Sequence, residues 1–549
     1  MFHMKVPSNQ NLFDLPKEVV TISETLKRAG FEAYLIGGCV RDLILNRKPK
    51  DWDFTTNAVP EEIAKLFTKT FYENTYGTVG VVNESTEDET LKVVEVTPYR
   101  LESGYSDKRR PDSVQWSKKI EDDLQRRDFT INAIALDIES TGLDAVRGAS
   151  EACDQAVVNY SAEANRLQVQ TNKRSAERSN EEMRQNRGFY YKGHLVDLYK
   201  GQEDLTRKTL RTVGNPHDRF NEDALRMLRA IRISTELGFT IESETAAAIE
   251  KYAHLLKEIA HERIREEFER IIMSDNPMIG LILSQKLGIL QYVVPELEKS
   301  MGVEQNQAHA YHVWEHLLRS LQHAADKKWS LEIRLAALFH DISKPETRRA
   351  SHETKWTFYG HDVVGSRVTQ KILAKLKFPV KLIEKVTKLV RWHMFFSDTE
   401  QITPSAVRRL LAKVGQDNVW DLMNLRICDR IGTGRPKENP YRLRKYKAML
   451  EEVMRDPVSV GMLKIDGNKV MGVTHVTPGP KVGHILNALM EEVLENPKLN
   501  DEMFLVKRSV ELSELSEKEL KTLADKGKER KDKLEEKNIK EIRGKYHVE

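Results

Sequence analysis

The chain has 549 residues, 40% hydrophobic and 31% charged. That balance excludes a membrane-embedded protein and a wholly disordered one, and the length is too great for a single hydrophobic core. Lys and Arg number 87 against 84 Asp and Glu, a net charge of +3, so any nucleic-acid contact has to come from local residues rather than from bulk charge.

Residues Val19, Val20, Ile22, Leu26 and Ala29 recur at helical spacing and predict a helix over 15–30, stopped by Gly30. The period then changes. Segments 33–36, 52–55, 79–82, 92–98 and 131–137 read as short strands, with helical stretches such as 61–67 between them, so the first part is mixed α/β. Between about 140 and 194 the pattern collapses. Residues 162–187, rich in Asn, Gln, Glu, Arg and Ser, predict an inserted solvated segment, with a charged RNA-contacting hairpin as the alternative. From Phe220 onward the chain reads helical: Leu225, Leu228, Ile231 and Leu237 form one apolar face, and 331–339 and 381–390 continue the theme. Residues 513–549, dominated by Lys and Glu, read as a surface helix or frayed tail. Cys39, Cys153 and Cys428 have no short-range pairing, which argues for a reducing cytoplasm. Residues 1–12 lack a charged stretch followed by an apolar one, and nowhere do about 18 apolar residues run together, so no membrane association is expected.

The first chemical signal is Gly37-Gly38-Cys39-Val40-Arg41-Asp42, where a strand turns into a helix. Paired glycines let backbone N–H groups approach a phosphate without a Cβ in the way, the helix start adds partial positive charge, and Arg41 offers a guanidinium. Nine residues beyond Asp42 comes Asp51-Trp52-Asp53-Phe54. On a strand, Asp51 and Asp53 would share a face while Trp52 and Phe54 enter the core; two carboxylates so close call for a hard cation such as Mg²⁺. A two-metal site for phosphoryl attack wants a third carboxylate. Glu95, on the alternating strand 93–97, is the candidate, with Glu102 and Asp107 left open by spacing alone.

Further motifs follow: Arg126-Arg127-Asp128-Phe129-Thr130-Ile131-Asn132-Ala133, and Glu222-Asp223 through Arg226, Arg229 and Arg232. Together with the glycine turn and the Asp51/Asp53 pair, they resemble the successive motifs of the class II tRNA nucleotidyltransferases, the bacterial CCA-adding enzymes and their poly(A) polymerase relatives. The resemblance runs from about residue 19 to 272 and continues into a helical phosphohydrolase-like region. It implies a triphosphate held by Gly37, Gly38 and Arg41, Mg²⁺ held by Asp51 and Asp53, and Arg127 and Asn132 near the nucleotide ribose. It also implies a protein template on the helix bearing Asp223, Arg226, Arg229 and Arg232. There a carboxylate and a guanidinium three residues apart can pair with the edge of cytosine or adenine; ordinary salt bridging, Asp223 or Glu222 to Arg226, is the alternative for the same residues. Residues 262–267 resemble a helical motif that supports the template helix.

A second ligand set comes later: His316, His340-Asp341, His361, His393 and Asp429. Imidazoles and carboxylates brought together by folding can hold divalent transition metals that generate hydroxide. The set resembles the HD domain of metal-dependent phosphohydrolases, which implies His316, His340, Asp341 and Asp429 around a first metal and His361 and His393 completing a second. Ser343 departs from that pattern, where glycine is commoner. Pro478-Gly479-Pro480-Lys481, at a helix start, could meet an RNA phosphate or serve as a plain helix-entry turn.

The expected architecture is an α/β nucleotidyltransferase head over 1–210, interrupted at about 140–194, then mostly α-helical: a neck over 211–300, an HD domain over 301–450 and a tRNA-binding tail over 451–549. The expected reaction is addition of C and A from CTP and ATP to the 3′ end of tRNA. A poly(A) polymerase or A-adding enzyme shares every motif quoted, and an inactive tRNA-binding protein is the third reading.

Overall fold

The computed structural model describes residues 12–72, 76–104, 113–139, 190–305, 310–351, 355–395, 402–520 and 522–523. Most of the insertion, with Asp107 and Cys153, lies outside them. The chain divides into two compact units, Met1–Ile259 with Lys286–Ile289, and Ala260–Gln285 with Leu290–Glu549. The division falls inside the segment expected as a neck. Among the described residues no helix is long and apolar enough to cross a membrane.

The first unit is built on one eight-stranded sheet. Its elements are β1 (Leu12–Asp14), α1 (Lys17–Arg28), β2 (Tyr34–Ile36), α2 (Gly38–Ile44), β3 (Asp53–Thr56), α3 (Pro60–Leu66), β4 (Thr70–Tyr72), β5 (Val79–Val82), β6 (Val93–Pro98), β7 (Arg100–Ser103), β8 (Ser113–Trp116), α4 (Ile120–Gln125), β9 (Ala135–Ile138) and β10 (Tyr190–Val196). Strand order is β1-β10-β9-β2-β3-β6-β5-β4, antiparallel throughout except for the parallel pair β3 and β6. Of the apolar stripe foreseen on α1, Val19, Val20, Ile22 and Leu26 are buried, burial of such aliphatic side chains contributing about 1.5–3 kcal/mol each, while Ala29 lies exposed just past the helix. Gly30, at φ +87°, takes the left-handed turn that ends the helix.

Alternation along the central strands sorts the two faces of the sheet. Phe54, Val79, Val81, Val94 and Val96 are buried, whereas Asp53, Glu95 and Thr97 on the other face are only half-buried. Part of that polar face is covered by α4, whose Ile120 and Leu124 pack with Ile36, Tyr99 and Ala135. Glu95 and Thr97 stand on the rest of it, half-buried among the described residues. Two boundaries differ from expectation. The segment foreseen as a strand from 131 begins as a 3-10 turn, Thr130–Asn132, with the strand proper at Ala135–Ile138. The insertion expected to run to 194 ends before β10, which pairs with β9 from Gly193 onward.

The second unit is helical. Helix Leu331–Phe339 has the foreseen bounds, and 381–390 lies within helix Val380–Trp392. Arg334, 2% exposed, donates to the carbonyls of Ile272 and Ser274, oxygens left over where helix His261–Met273 ends, and to that of Trp329 in the turn before its own helix.

Candidate active sites

The turn between β2 and α2 places Gly37 at φ +84°, a conformation that costs a residue with a Cβ about 1 kcal/mol or more. Side chains crowd the space such a Cβ would fill. At Gly37 it would lie 3.2 Å from Arg127 Nη1 and 3.5 Å from Asp53 Oδ2, and at Gly38 3.8 Å from Asp51 Oδ1. Both aspartates therefore reach the glycine turn. They do so from different backbone: β3 begins at Asp53, and Asp51 stands in the bend before it, exposed, rather than on the strand. Trp52 and Phe54 enter the core as expected, at 3% and 0% exposure.

The third carboxylate is set by register. Glu95 is paired with Asp53 across the parallel β3–β6 ladder, and directly opposed residues project to the same face. Glu102 is otherwise engaged, accepting from Arg100 Nε at 2.7 Å and Arg126 Nη1 at 3.3 Å. Two carboxylates at a glycine turn, with a third paired to one of them on the neighbouring strand, offer hard oxygen ligands of the kind divalent cations take. A phosphate fits the same place from the other side, because Arg127 Nε is buried there with no hydrogen-bond partner, a donor whose burial is costly until it is used.

Arg41 sits differently from the open phosphate contact expected of it. Its Nε donates to Asp42 at 2.9 Å and its Nη1 to Asn132 Oδ1 at 2.8 Å, so it ties the turn to the 3-10 segment. Asn132 Nδ2 donates in turn to Asp128 Oδ1 at 3.3 Å. Asp128 Oδ2 accepts both Nε and Nη2 of Arg229, at 2.9 and 2.7 Å. A continuous chain of polar contacts thus runs from the glycine turn to helix Leu225–Leu237. Burial alone would raise the Asp128 carboxyl, but Arg229 outweighs it and holds the group at about 2. Asp128 lay inside a quoted motif, yet the sequence alone gave no reason to single it out; its partner is 101 residues away.

The base-reading pair needs a correction of placement. Asp223 is not on a helix. Helix Pro216–Glu222 stops before it, its backbone is extended (φ −137°, ψ 106°), and its Oδ1 accepts the N–H of Leu225, capping the helix that follows. Arg226 Nη1 is instead held by Glu222 Oε2 at 2.5 Å, the spacing-of-four ion pair. Arg232 pairs with Glu236 at 3.1 Å. Asp223 and Arg226 remain neighbours around one helix start, with the carboxylate and guanidinium on separate supports.

In the second unit all six foreseen ligands come together, buried. His316 lies within helix Val313–Asp326, His340 and Asp341 follow Leu331–Phe339, His361 opens His361–Lys375, His393 follows Val380–Trp392, and Asp429 lies on Gln416–Gly432. Asp341 bridges two groups. Its Oδ2 is 3.2 Å from His316 Nε2 and 3.4 Å from His340 Nε2. Its Oδ1 is 3.2 Å from His361 Nε2 and 3.6 Å from His393 Nε2. Asp429 Oδ1 stands 3.5 Å from His316 Nε2.

The imidazole geometry argues for metal. His361 and His393 have their Nδ1 atoms 2.7 Å from the carbonyls of Phe358 and Val390, contacts that require Nδ1–H and leave the lone pair on Nε2. Those two Nε2 atoms are 3.3 Å apart, facing acceptors in the neutral state, which a metal ion, or a proton on one ring, relieves. Burial would lower the His340 imidazole, but Asp341 and Asp429 overcome it and push it up to about 9, the mark of a pocket that attracts positive charge. Lys344 Nζ, 2.6 Å from Asp341 Oδ2, was missed from sequence; its place three residues after Asp341 was the available signal. Ser343, the departure from the commoner glycine, donates its hydroxyl to the His361 carbonyl at 2.7 Å.

Comparison with known proteins bears on both sites. Residues 33–158 match the poly A polymerase head domain, 238–301 the probable RNA- and SrmB-binding site of polymerase A, and 313–431 the HD domain. A CCA-adding enzyme of Lactiplantibacillus plantarum is 30% identical over 86% of this chain and 90% of its own length. One from Enterococcus faecalis is 29% identical over 92% and 97%. The Bacillus stearothermophilus CCA-adding enzyme, solved in complex with CTP, superposes with a TM-score of 0.61 at 25% identity, covering 90% of this chain and 96% of that one.

Proposed function

This chain belongs to the family of CCA-adding enzymes, tRNA nucleotidyltransferases, and on that premise we propose that it adds C and A nucleotides from CTP and ATP to the 3′ end of tRNA. The meeting of Asp51 and Asp53 at the Gly37–Gly38 turn, with Glu95 opposite Asp53 on the neighbouring strand, is the observation that carries this reading. The backbone of the turn and the Arg127 guanidinium receive the triphosphate. Asp51, Asp53 and Glu95 would hold Mg²⁺, which supplies charge neutralisation at the reacting phosphate when bound. Glu95 lies where the acceptor's 3′-hydroxyl must arrive and orients it or takes its proton. Arg41, Asn132, Asp128 and Arg229 keep the turn and the helix Leu225–Leu237 in fixed relation, so that a base paired to Asp223 and Arg226 brings its phosphates to the carboxylates. Release of Arg226 from Glu222 belongs to that pairing.

The histidine cluster is proposed as a separate phosphoester hydrolase centre for divalent transition metals, with His316, His340, Asp341 and Asp429 around one position and His361 and His393 with Asp341 around the other. The decisive experiment supplies tRNA lacking its 3′ end with labelled CTP or ATP separately and resolves product length. Use of both nucleotides with arrest after three residues supports the reading. Long A tails select the poly(A) or A-adding alternative, and no addition overturns nucleotidyl transfer.

A further inference from the structure

One exposed aromatic side chain of the first unit falls in line with the carboxylates across the sheet. Phe71 on β4 pairs with Gly80 on β5, Gly80 pairs with Glu95 on β6, and Glu95 pairs with Asp53 on β3. These four residues form a single row across the open polar face. The far end of the Phe71 ring sits on the glycine: a Cβ at Gly80 would fall 2.5 Å from ring Cζ and 2.7 Å from Cε1. With adjacent strands about 4.8 Å apart, the ring is one strand from Glu95 and two from Asp53. It is 43% exposed, and Val93, on the same face two residues before Glu95, is 39% exposed. A part-exposed ring and a part-exposed aliphatic side chain beside Glu95 form an apolar shelf at an anionic edge, which accepts a flat apolar face better than a phosphate.

Sheet order decides which face. The glycine turn lies on the β2 side of β3 and the Phe71 shelf on the β6–β5 side. An in-line displacement puts the attacking hydroxyl opposite the leaving pyrophosphate, so a triphosphate over β2 and β3 places the acceptor strand over β6 and β5. We infer that Phe71, seated on Gly80, is the stacking platform for the 3′-terminal base of the RNA acceptor, positioning its hydroxyl at Glu95. The inference rests on the nucleotidyl-transfer reading above and adds the acceptor subsite to it. Phe71 touches the base and not the reacting atoms, so its effect falls on use of the acceptor rather than on binding of CTP.

The test pairs the full-length enzyme with two RNAs, tRNA lacking its three added 3′ nucleotides and the same shortened RNA with an abasic 3′-terminal residue that keeps its 3′-hydroxyl. For the wild type, removing the base lowers kcat/KM for the RNA roughly tenfold or more, the scale of one base–aromatic stack. Phe71→Leu starts from the lowered rate and loses under about twofold more on the abasic RNA, because the platform is already gone. Phe71→Tyr, which keeps the π face, tracks the wild type. Binding of CTP by each variant, measured calorimetrically, reports that the head is folded. A Phe71→Leu enzyme that suffers the same abasic penalty as the wild type overturns the platform while leaving nucleotidyl transfer intact. Absence of addition by the wild type on both RNAs overturns the nucleotidyl-transfer reading and the platform with it.

Discussion

Asp53 and Glu95 stand opposite each other on two parallel strands, half-buried at the open part of a sheet, whereas the histidine cluster draws its ligands from five helices and buries every one of them. The first arrangement needs only local register: once β3 and β6 pair, the carboxylates meet. The second needs the whole helical unit, since His316, Asp341, His393 and Asp429 are spread over more than a hundred residues and meet only when their helices pack. A site set by register can be open to a large substrate and tolerate replacement of one side chain without loss of the fold. One set by packing is dry, holds charge at high cost, and ties ligand loss to the surrounding core.

The largest effect that separates the two follows from this. Asp53→Ala should lower nucleotide addition by about a thousandfold or more, since a metal-binding carboxylate supports several kcal/mol of transition-state charge stabilisation. Gel-shift affinity for tRNA and the metal content of the histidine cluster should be unchanged. Incorporation of labelled CTP near the wild-type rate would remove Asp53 from the chemistry. His393→Ala is the reciprocal test. It should lower bound transition metal per chain by about half, read by elemental analysis after dialysis, because the Asp341 Oδ1 position retains one imidazole while His316 and His340 keep theirs. CTP addition should stay within about twofold. Full metal occupancy in that variant would show that His393 is no ligand.

The two regions also differed in how far they could be read before folding. Gly37, Gly38, Asp51 and Asp53 were legible because a turn and a pair of nearby acids are local features. Glu95 was the candidate with Glu102 and Asp107 left open, and strand register sets it opposite Asp53, since spacing along a chain carries no information about which strand lies next to which. Asp223 was misread as helical because its motif continues a helical pattern on both sides, and the cap it makes to Leu225 breaks that pattern in one residue. The histidine set was recoverable from residue type and order, but the sharing of Asp341 between two groups, and the part played by Lys344, depend on rotamers that no pattern encodes. Phe71, unlike Glu95, was invisible, because its significance lies only in the row it joins across the sheet.

An intermediate effect tests the link between turn and helix. The Asp128 carboxyl is held at about 2 against the 3.8 of an ordinary aspartate. A depressed carboxyl stabilises the fold fully above its unfolded pKa, and that stability drains away as pH falls from about 4 toward 2, amounting to about 2 kcal/mol. Urea midpoints of the wild type and Asp128→Asn should therefore lie apart at pH 6 and draw together as pH approaches 3. A gap that stays constant over that range would place the variant's cost in lost packing rather than in the ion pair with Arg229.

The smallest effect concerns Ser343, and it sharpens the view that the histidine cluster is set by packing. Its hydroxyl donates to the main-chain carbonyl of His361, the residue that opens its helix after Gly360 at φ +75°. Opposite it the chain carries a glycine, Gly365, where a Cβ would lie 3.3 Å from the Ser343 oxygen. The hydroxyl thus occupies the room that Gly365 leaves and pins the start of the helix that presents His361 to Asp341. Ser343→Gly removes one buried hydrogen bond and frees the local backbone, a destabilisation of about 1 kcal/mol. Metal affinity should fall more visibly than stability, by roughly tenfold and only at the His361–His393 position, because a ligand loosened by its support binds as though half-disordered. Two-site calorimetric titration of the metal-free protein separates the positions. An equal weakening of both would locate the effect in Asp341, which they share, and not in the anchoring of His361.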